Sequence, residues 1–149
     1  MSLSIDIVIC TYNNAAMLDR ALTALADQQV SSPVHWQVLV VNNNCTDCTV
    51  SVVKKHIQSG RISGLRMVTE PQQGLNFARA CGVQNTFGRW IAFVDDDCLL
   101  KPDWIEQATG FASTHLDCGA FGGKVILDWE VLPAEFVLKF SYSFAEQNY

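Results

Sequence analysis

The chain has 149 residues, which is enough for one domain with a buried core. Apolar residues make up 49% of it and charged residues 17%, a composition typical of a folded globular protein rather than a disordered one. The net charge is -5 and the lysines and arginines form no cluster, so a nucleic-acid partner is disfavoured. The negative net charge does not exclude phosphorylated small ligands, because a bound metal ion can supply the positive charge that they need.

Targeting signals are not evident in the sequence. No apolar run approaches the roughly 20 residues of a membrane span, and the first residues lack the basic and apolar stretches of a signal peptide. The sequence therefore predicts a cytoplasmic protein, and it leaves open an association with the inner face of a membrane. Cys10, Cys81 and Cys98 lie in apolar runs, which predicts small buried side chains in a reducing compartment. Cys45 and Cys48 form a CxxC, but no second ligand pair follows, so a zinc or redox site is disfavoured.

Apolar patterns predict strands and helices that alternate along the chain. In chain order they are a strand over 4–10, a helix over 15–29, a strand over 36–42, a helix from a cap at Thr46 or Asp47 to 59, a strand over 65–70, a helix over 74–85, a strand over 90–94, a helix starting at Pro102 and a strand over 120–127. Such alternation predicts an α/β fold, with a mainly parallel sheet and helices on both faces. Because ligands of these sheets collect at the carboxyl ends of the strands, a binding site is expected there.

The strongest indication of chemistry is the acidic triplet Asp95, Asp96 and Asp97, which directly follows the apolar strand WIAFV. Adjacent carboxylates repel one another, and this costs stability unless a cation or hydrogen-bond donors compensate. Oxygen ligands suit Mg²⁺ or Mn²⁺, which can also bridge phosphate oxygens. An exposed acidic turn with Lys101 nearby is the alternative. A phospho-acceptor aspartate is disfavoured, because that chemistry needs an acidic pair after the first strand, which here ends in CTYN.

Two further segments are weaker indications when each is taken alone. Asn42, Asn43 and Asn44 follow the second predicted strand, and such amides either bind a base edge or make Asx turns, turns being the commoner use. Gly74 can open the helix that carries Arg79, and arginine is a natural partner for phosphate or carboxylate. The alternative for Arg79 is an ordinary surface side chain.

Taken in order, these segments resemble family-two glycosyltransferases of the GT-A fold. The matching text is IVICTYNNAAMLDRALTAL, then VLVVNNNCTDCTV, then GLNFARACGVQNTFGRWIAFVDDDCLLKPDWIEQ, and the resemblance extends to Gly123. Members of this family transfer a sugar from a nucleotide diphosphate donor, usually with inversion at the anomeric carbon. The resemblance implies a UDP-sugar donor, Mg²⁺ or Mn²⁺ as cofactor, and a hydroxyl acceptor on a glycan, a lipid-linked sugar or another molecule. It also implies a role in cell-surface polysaccharide biosynthesis.

The resemblance further implies roles for individual residues, with the acidic triplet as the DxD-type motif of the family. The nucleotide contacts would come from Thr11, Tyr12, Asn42, Arg79, Asp95 and Asp96, and the metal ligand would be Asp97. Asn42 stands where the family commonly has an aspartate that holds the uracil edge. An Asn oxygen can accept from uracil N3–H, and the same amide, flipped, can face cytosine, so the base preference stays open. Ala80 stands where the family often has Asn, so one helix-edge hydrogen bond is expected to be missing.

The family's general base is an Asp or Glu in the acceptor-binding half, and no segment after Gly123 resembles its motif. We therefore expect residues 4–127 to form the nucleotide-sugar-binding core and residues 128–149 to begin an incomplete acceptor-side region. The catalytic base is expected beyond Tyr149. Residues 133–144 are amphipathic, and exposed apolar side chains there favour a homodimer. These side chains are Phe136, Phe140, Tyr142 and Phe144.

Two other functions are compatible with parts of the pattern. A non-catalytic nucleotide-sugar-binding module would keep the pocket without the base. A nucleotidyltransferase is disfavoured, because it would need a Gly-rich, basic loop after the first strand, where TYNNAAMLDR has one arginine and no glycine.

Overall fold

The computed structural model describes residues 3–31, 33–144 and 146, without the side chains of 141 and 142. Within these residues four strands form one sheet, and helices alternate with them. The strands are β1 (Ser4–Thr11), β2 (His35–Asn42), β3 (Arg66–Thr69) and β4 (Trp90–Phe93). The helices are α1 (Ala15–Ala26), α2 (Thr49–Ser59), α3 (Leu75–Gln84), α4 (Trp104–Thr114) and the short α5 (Glu135–Leu138), and a 3-10 helix spans Ser141–Phe144.

The strand order is β3-β2-β1-β4, and every neighbouring pair is parallel. Asn42 of β2 is paired with both Thr11 of β1 and Thr69 of β3, so these three strands end at the same level. On the other side of β1, β4 pairs with it further back, with Phe93 opposite Val8. The strand order changes direction between β1 and β4, and the crevice at such a switch point is where open parallel sheets bind ligands.

Both faces of the sheet are covered by helices, because successive strand residues point to opposite faces. One face is packed against α1, α2 and α4, and the other against α3. The first face buries Ile7, Ile9, Val38 and Val40 with Leu22, Val53 and Ile105, and the second buries Val8, Leu39 and Val41 with Ala78. The predicted α/β class with helices on both faces is confirmed.

The predicted strand over 120–127 is wrong for the described structure. This segment is irregular, with a single bridge at Val125, and Ile126 is exposed. An apolar run becomes a strand only where a neighbouring strand pairs with its backbone, and the sequence pattern does not show that pairing. The helix expected from Pro102 begins at Trp104, with Pro102 in the turn before it.

The chain divides into two compact units, Met1–Thr114 and His115–Tyr149. The first contains the sheet and α1 to α4. The predicted division at residue 127, between a nucleotide-sugar-binding core and an acceptor-side region, stays a prediction. In the described part of the chain, every helix is too short or too polar to cross a membrane.

The second unit carries the predicted apolar segment. Phe136, Phe140 and Phe144 are all at least half exposed. The ring of Phe144 meets that of Trp129 edge to face, with centroids 5.6 Å apart. The side chain of Tyr142 lies outside the described residues. A homodimer through this segment stays a prediction.

A buried carboxylate ties the start of β4 to the middle of the sheet. Asp6 in β1 is only 3% exposed. One of its oxygens accepts from Gln37 Nε2 at 2.9 Å, and the other from the backbone N–H groups of Phe87 (2.7 Å) and Gly88 (2.9 Å). A Cβ on Gly88 would lie 2.8 Å from Asp6 Oδ1, so this close approach requires glycine.

Replacing Asp6 with alanine is expected to lower the free energy of unfolding by about 2–4 kcal/mol, because it leaves three N–H donors without their acceptor. Urea unfolding followed by circular dichroism measures the change. Asp117→Ala is the control, since it removes an exposed carboxylate and is expected to change stability by less than about 0.5 kcal/mol. If both variants lower the free energy of unfolding by the same small amount, the role given to Asp6 is wrong.

Candidate functional site

A cleft of about 170 Å³ opens where β1 and β2 end and α3 begins. Its lining combines an aromatic ring, aliphatic side chains and two amides, a mixture suited to a planar ligand with a polar edge. The lining residues are Cys10, Thr11, Tyr12, Asn43, Gln73, Gly74, Leu75 and Ala78. A larger hollow of about 330 Å³ is lined by residues between Asp19 and Asp27 and by Leu99, and none of its lining residues belongs to β1 or β2. We assign the ligand site to the smaller cleft, because parallel sheets bind ligands at strand carboxyl ends.

Thr11 and Tyr12 both line this cleft, and their predicted contact with a nucleotide stays a prediction. Thr11 ends β1 and is almost fully buried, and its Oγ1 has no hydrogen-bond partner in the described structure. An unsatisfied buried hydroxyl costs about 1–3 kcal/mol, which a ligand or water that reached it would recover. Tyr12 is 49% exposed, so its ring offers a surface for stacking.

Asn42 ends β2 and is 5% exposed. Its Oδ1 accepts from the backbone N–H of Cys45 at 2.8 Å, which closes the turn that follows the strand. The residue is not part of the cleft lining. The contact predicted between Asn42 and a nucleobase therefore stays a prediction, and one oxygen lone pair of this amide is already used by the turn.

Asn43 lines the cleft, although the sequence analysis gave it no role of its own. Its Nδ2 donates to the carbonyl oxygens of Glu70 (3.0 Å) and Gln72 (2.8 Å), and its Oδ1 accepts from Gly74 N at 2.8 Å. Gly74 has a φ of 137°, which residues with a side chain rarely adopt. Asn43 thereby fixes the β3–α3 loop, and its Oδ1 keeps one free acceptor position.

The acidic triplet leaves the sheet at the end of β4, where Val94 N still donates to Val8 O at 3.0 Å. Asp95 and Asp97 are exposed, and ligand atoms of Asp95, Asp97 and Cys98 lie within 4.8 Å of one another. Asp96 is partly buried, and its Oδ1 accepts from Asn14 Nδ2 at 2.8 Å. The three carboxylates are therefore not equivalent, since the middle one is bound to the β1–α1 loop.

Asp95 and Asp97 fit a hard divalent cation. Two exposed carboxylates can hold Mg²⁺ or Mn²⁺ and leave coordination positions for water and phosphate oxygens. Burial, together with the charges of Asp97 and Asp95, raises the pKa of the Cys98 thiol. A hard cation prefers carboxylate oxygens to sulfur. The donor set therefore suits an oxygen-preferring cation.

Arg79 on α3 lies beside Asp95, with its Nη2 3.9 Å from Asp95 Oδ1. Its guanidinium carbon is 5.7 Å from the centroid of the Phe93 ring. Contacts between exposed groups at such distances hold a side chain weakly, so the guanidinium remains available to a phosphate. The structure thus brings Arg79 close to Asp95 of the acidic triplet, and the predicted contact of Arg79 with a nucleotide stays a prediction.

Hydrogen bonds join the loop after β1 to the loop after β2. The side-chain oxygen of Asn13 accepts from the backbone N–H groups of Thr46 (2.7 Å) and Asp47 (3.3 Å). The thiol of Cys45 accepts from Asn13 N at 3.3 Å and donates to Thr11 O at 3.4 Å. These bonds give Cys45 a structural role and hold the cleft wall around Thr11 in place.

Asp47 fixes the beginnings of two helices. Its Oδ1 accepts from the N–H of Thr49 (3.0 Å) and from its hydroxyl (2.6 Å) at the start of α2, and its Oδ2 accepts from Ala15 N (3.0 Å) at the start of α1. Desolvation alone would raise the pKa of this carboxyl, but hydrogen bonds from Thr49 and Ala15 hold it below its usual value. The expected cap of α2 by Thr46 or Asp47 is wrong, since the N-cap residue is Cys48 and makes no side-chain cap hydrogen bond. Asp47, one residue earlier, instead holds Thr49 and also binds α1.

Residues 6–138 match the family described as glycosyl transferase family 2. Glycosyltransferase AglE of Haloferax volcanii is 30% identical over 123 residues, which cover 81% of this chain and 39% of the relative. Succinoglycan biosynthesis protein ExoM of Rhizobium meliloti is 27% identical over 113 residues, which cover 76% of this chain and 36% of the relative. The chain therefore spans well under half the length of these relatives.

Solved structures show the same fold at low sequence identity. TarS 1-349 of S. aureus, in complex with UDP-GlcNAc, has a TM-score of 0.68 and 22% identity, with coverage of 76% of this chain and 32% of that one. Mannosyltransferase PcManGT of Pyrobaculum calidifontis, in complex with GDP-Man and Mn²⁺, has a TM-score of 0.65 and 22% identity, with coverage of 74% and 32%. Together with the family match, this likeness establishes that the chain belongs to glycosyl transferase family 2 and has the GT-A fold.

Proposed function

We propose that the chain forms the nucleotide-sugar-binding part of an inverting glycosyltransferase that uses a UDP-sugar and Mg²⁺ or Mn²⁺. The observation that carries this proposal is the pair of exposed carboxylates, Asp95 and Asp97, at the end of β4. This strand lies next to β1, where the strand order changes direction and where such sheets bind ligands. Family membership supports sugar transfer. The donors in the TarS and PcManGT complexes, UDP-GlcNAc and GDP-Man, support a nucleotide sugar, and the Mn²⁺ in the second supports a divalent cation.

Different residues would contact different parts of the nucleotide-sugar donor. The nucleoside would lie in the cleft against Thr11 and Tyr12, and Arg79 and Asp96 would lie near the ribose and the diphosphate. Asp97 would hold the cation with help from Asp95, and when bound the cation would neutralise the departing diphosphate. The acceptor would be a hydroxyl of a glycan, a lipid-linked sugar or another molecule. The name of ExoM, a succinoglycan biosynthesis protein, supports a role in cell-surface polysaccharide synthesis.

The asparagine pair would read the base edge. Asn42 has one Oδ1 lone pair bound to Cys45 N, whereas Asn43 lines the cleft with both amide hydrogens used and one acceptor position free. An acceptor at this edge pairs with the N3–H of uracil and repels the unprotonated N3 of cytosine. This arrangement favours uracil over cytosine. Recognition of the base edge, which the sequence analysis assigned to Asn42, would thus also involve Asn43.

Metal should strengthen nucleotide binding. In isothermal titration calorimetry we expect UDP to bind at least about tenfold more tightly with Mn²⁺ than in EDTA, because Asp95 and Asp97 would hold a cation whose charge would offset that of the diphosphate. Asp97→Asn should remove most of this gain. The control Asp117→Asn should retain it, because Asp117 lies in an exposed turn. Equal affinity for UDP in Mn²⁺ and in EDTA would rule out the metal role.

Base preference tests the asparagine pair. In competition against UDP with Mn²⁺ present, CDP should bind about tenfold more weakly, because its N3 would face the free oxygen of Asn43 without a shared hydrogen. ADP should also bind more weakly than UDP. Fluorescence or calorimetric competition measures the three constants. Equal affinity for UDP, CDP and ADP would show that neither asparagine reads the base.

A further inference from the structure

We propose that Asn14 is a positioning residue of the donor site, holding Asp96 apart from the Asp95/Asp97 pair through its side-chain amide. The proposal rests on the proposed function of the acidic triplet in donor binding. It assigns to Asn14 a task that neither its position in the sequence nor its helix requires. The contact carrying it is the 2.8 Å hydrogen bond from Asn14 Nδ2 to Asp96 Oδ1.

Asn14 occupies the N-cap position of α1 but does not cap the helix. Asparagine is among the preferred N-cap residues, because its side-chain oxygen can accept from the first free N–H groups. Here no such side-chain hydrogen bond forms. The amide instead reaches across 82 positions of sequence to Asp96. A side chain well suited to stabilise its own helix is thus used for a contact at the proposed site.

Asp47 holds the same helix start from the loop after β2. Its Oδ2 accepts from Ala15 N at 3.0 Å, so an N–H at the start of α1 is satisfied from the loop after β2. Asp47 is itself held by Thr49 and by the bond from its own N–H to Asn13 Oδ1. One N–H at the start of α1 thus has an acceptor from another loop, while the Asn14 side chain binds Asp96 and makes no bond to the N–H groups that an N-cap side chain can satisfy.

An uncharged hydrogen-bond donor at Asn14 suits this site. An amide N–H satisfies one oxygen of Asp96 without a positive charge, whereas a lysine or arginine there would repel a cation bound at Asp95 and Asp97. With one oxygen of Asp96 bound to Asn14, the second oxygen would be held in a defined position for a ligand. Fixing a side chain before binding lowers the ordering cost that the ligand would otherwise have to offset.

Calorimetry with UDP and Mn²⁺, run beside thermal unfolding, separates this role from helix capping. The variants are Asn14→Ala and Asn14→Ser, and the control is Gln58→Ala, which removes an exposed amide of α2. Both Asn14 variants should bind UDP about five- to tenfold more weakly than wild type, with melting temperatures matching the control. Serine is a good N-cap but ends one atom short of the Nδ2 position. If serine restores wild-type affinity, or if neither variant weakens UDP binding, Asn14 does not position Asp96.

Nuclear magnetic resonance of the ligand-free chain tests the contact itself. The side-chain amide resonances of Asn14 should shift in Asp96→Ala and stay in place in Asp117→Ala. Unchanged resonances in Asp96→Ala would overturn the inference whatever the binding data show. A wild-type chain that binds no UDP would overturn the proposed function, whereas a wild-type chain that binds UDP beside unaffected Asn14 variants would overturn this inference alone.

Discussion

Three consecutive carboxylates at the carboxyl end of β4 are the constraint on which the rest of the site depends. Left together they would repel one another and destabilise the turn after the strand. The fold gives them different surroundings, since Arg79 lies beside Asp95, Asn14 holds Asp96, and Asp97 stays exposed next to Asp95. These partners come from different loops and helices, so the arrangement depends on a strand order that places β1 next to β4. A cation held by Asp95 and Asp97 would offset the remaining repulsion between these carboxylates.

The walls around the cleft are held by side chains that bind backbone rather than by a rigid apolar shell. Asn43 fixes the β3–α3 loop, Asp47 fixes the starts of α1 and α2, and Asn13 fixes Asp47. Bonds of this kind use short polar side chains whose geometry is set by the neighbouring strand ends. A site built this way is ordered before its ligand arrives, which reduces the cost of binding.

The sequence was most informative where a pattern repeats. Apolar runs and helical spacing located four strands and four helices to within a few residues, and alternation predicted a parallel sheet with a polar ligand edge. Prediction from the sequence failed where the local structure depends on a residue or strand far along the chain. Residues 120–127 have the apolar run of a strand but no strand forms there in the described structure. Asn42 and Asn43 are neighbours of the same type, and only the turn after β2 decides which of them lines the cleft. The bond between Asn14 and Asp96 joins two loops whose proximity follows from the pairing of β1 with β4.

The central claim is that the ends of β1, β2 and β4 form one site for a nucleotide diphosphate and its cation. A crystal structure of the chain grown with UDP and Mn²⁺, with anomalous data for manganese, tests it most directly. We predict a manganese peak bonded to Asp97 and to the diphosphate, with uracil in the cleft beside Tyr12 and Asn43. A manganese peak away from the acidic triplet, or a nucleotide bound elsewhere on the chain, would contradict the account.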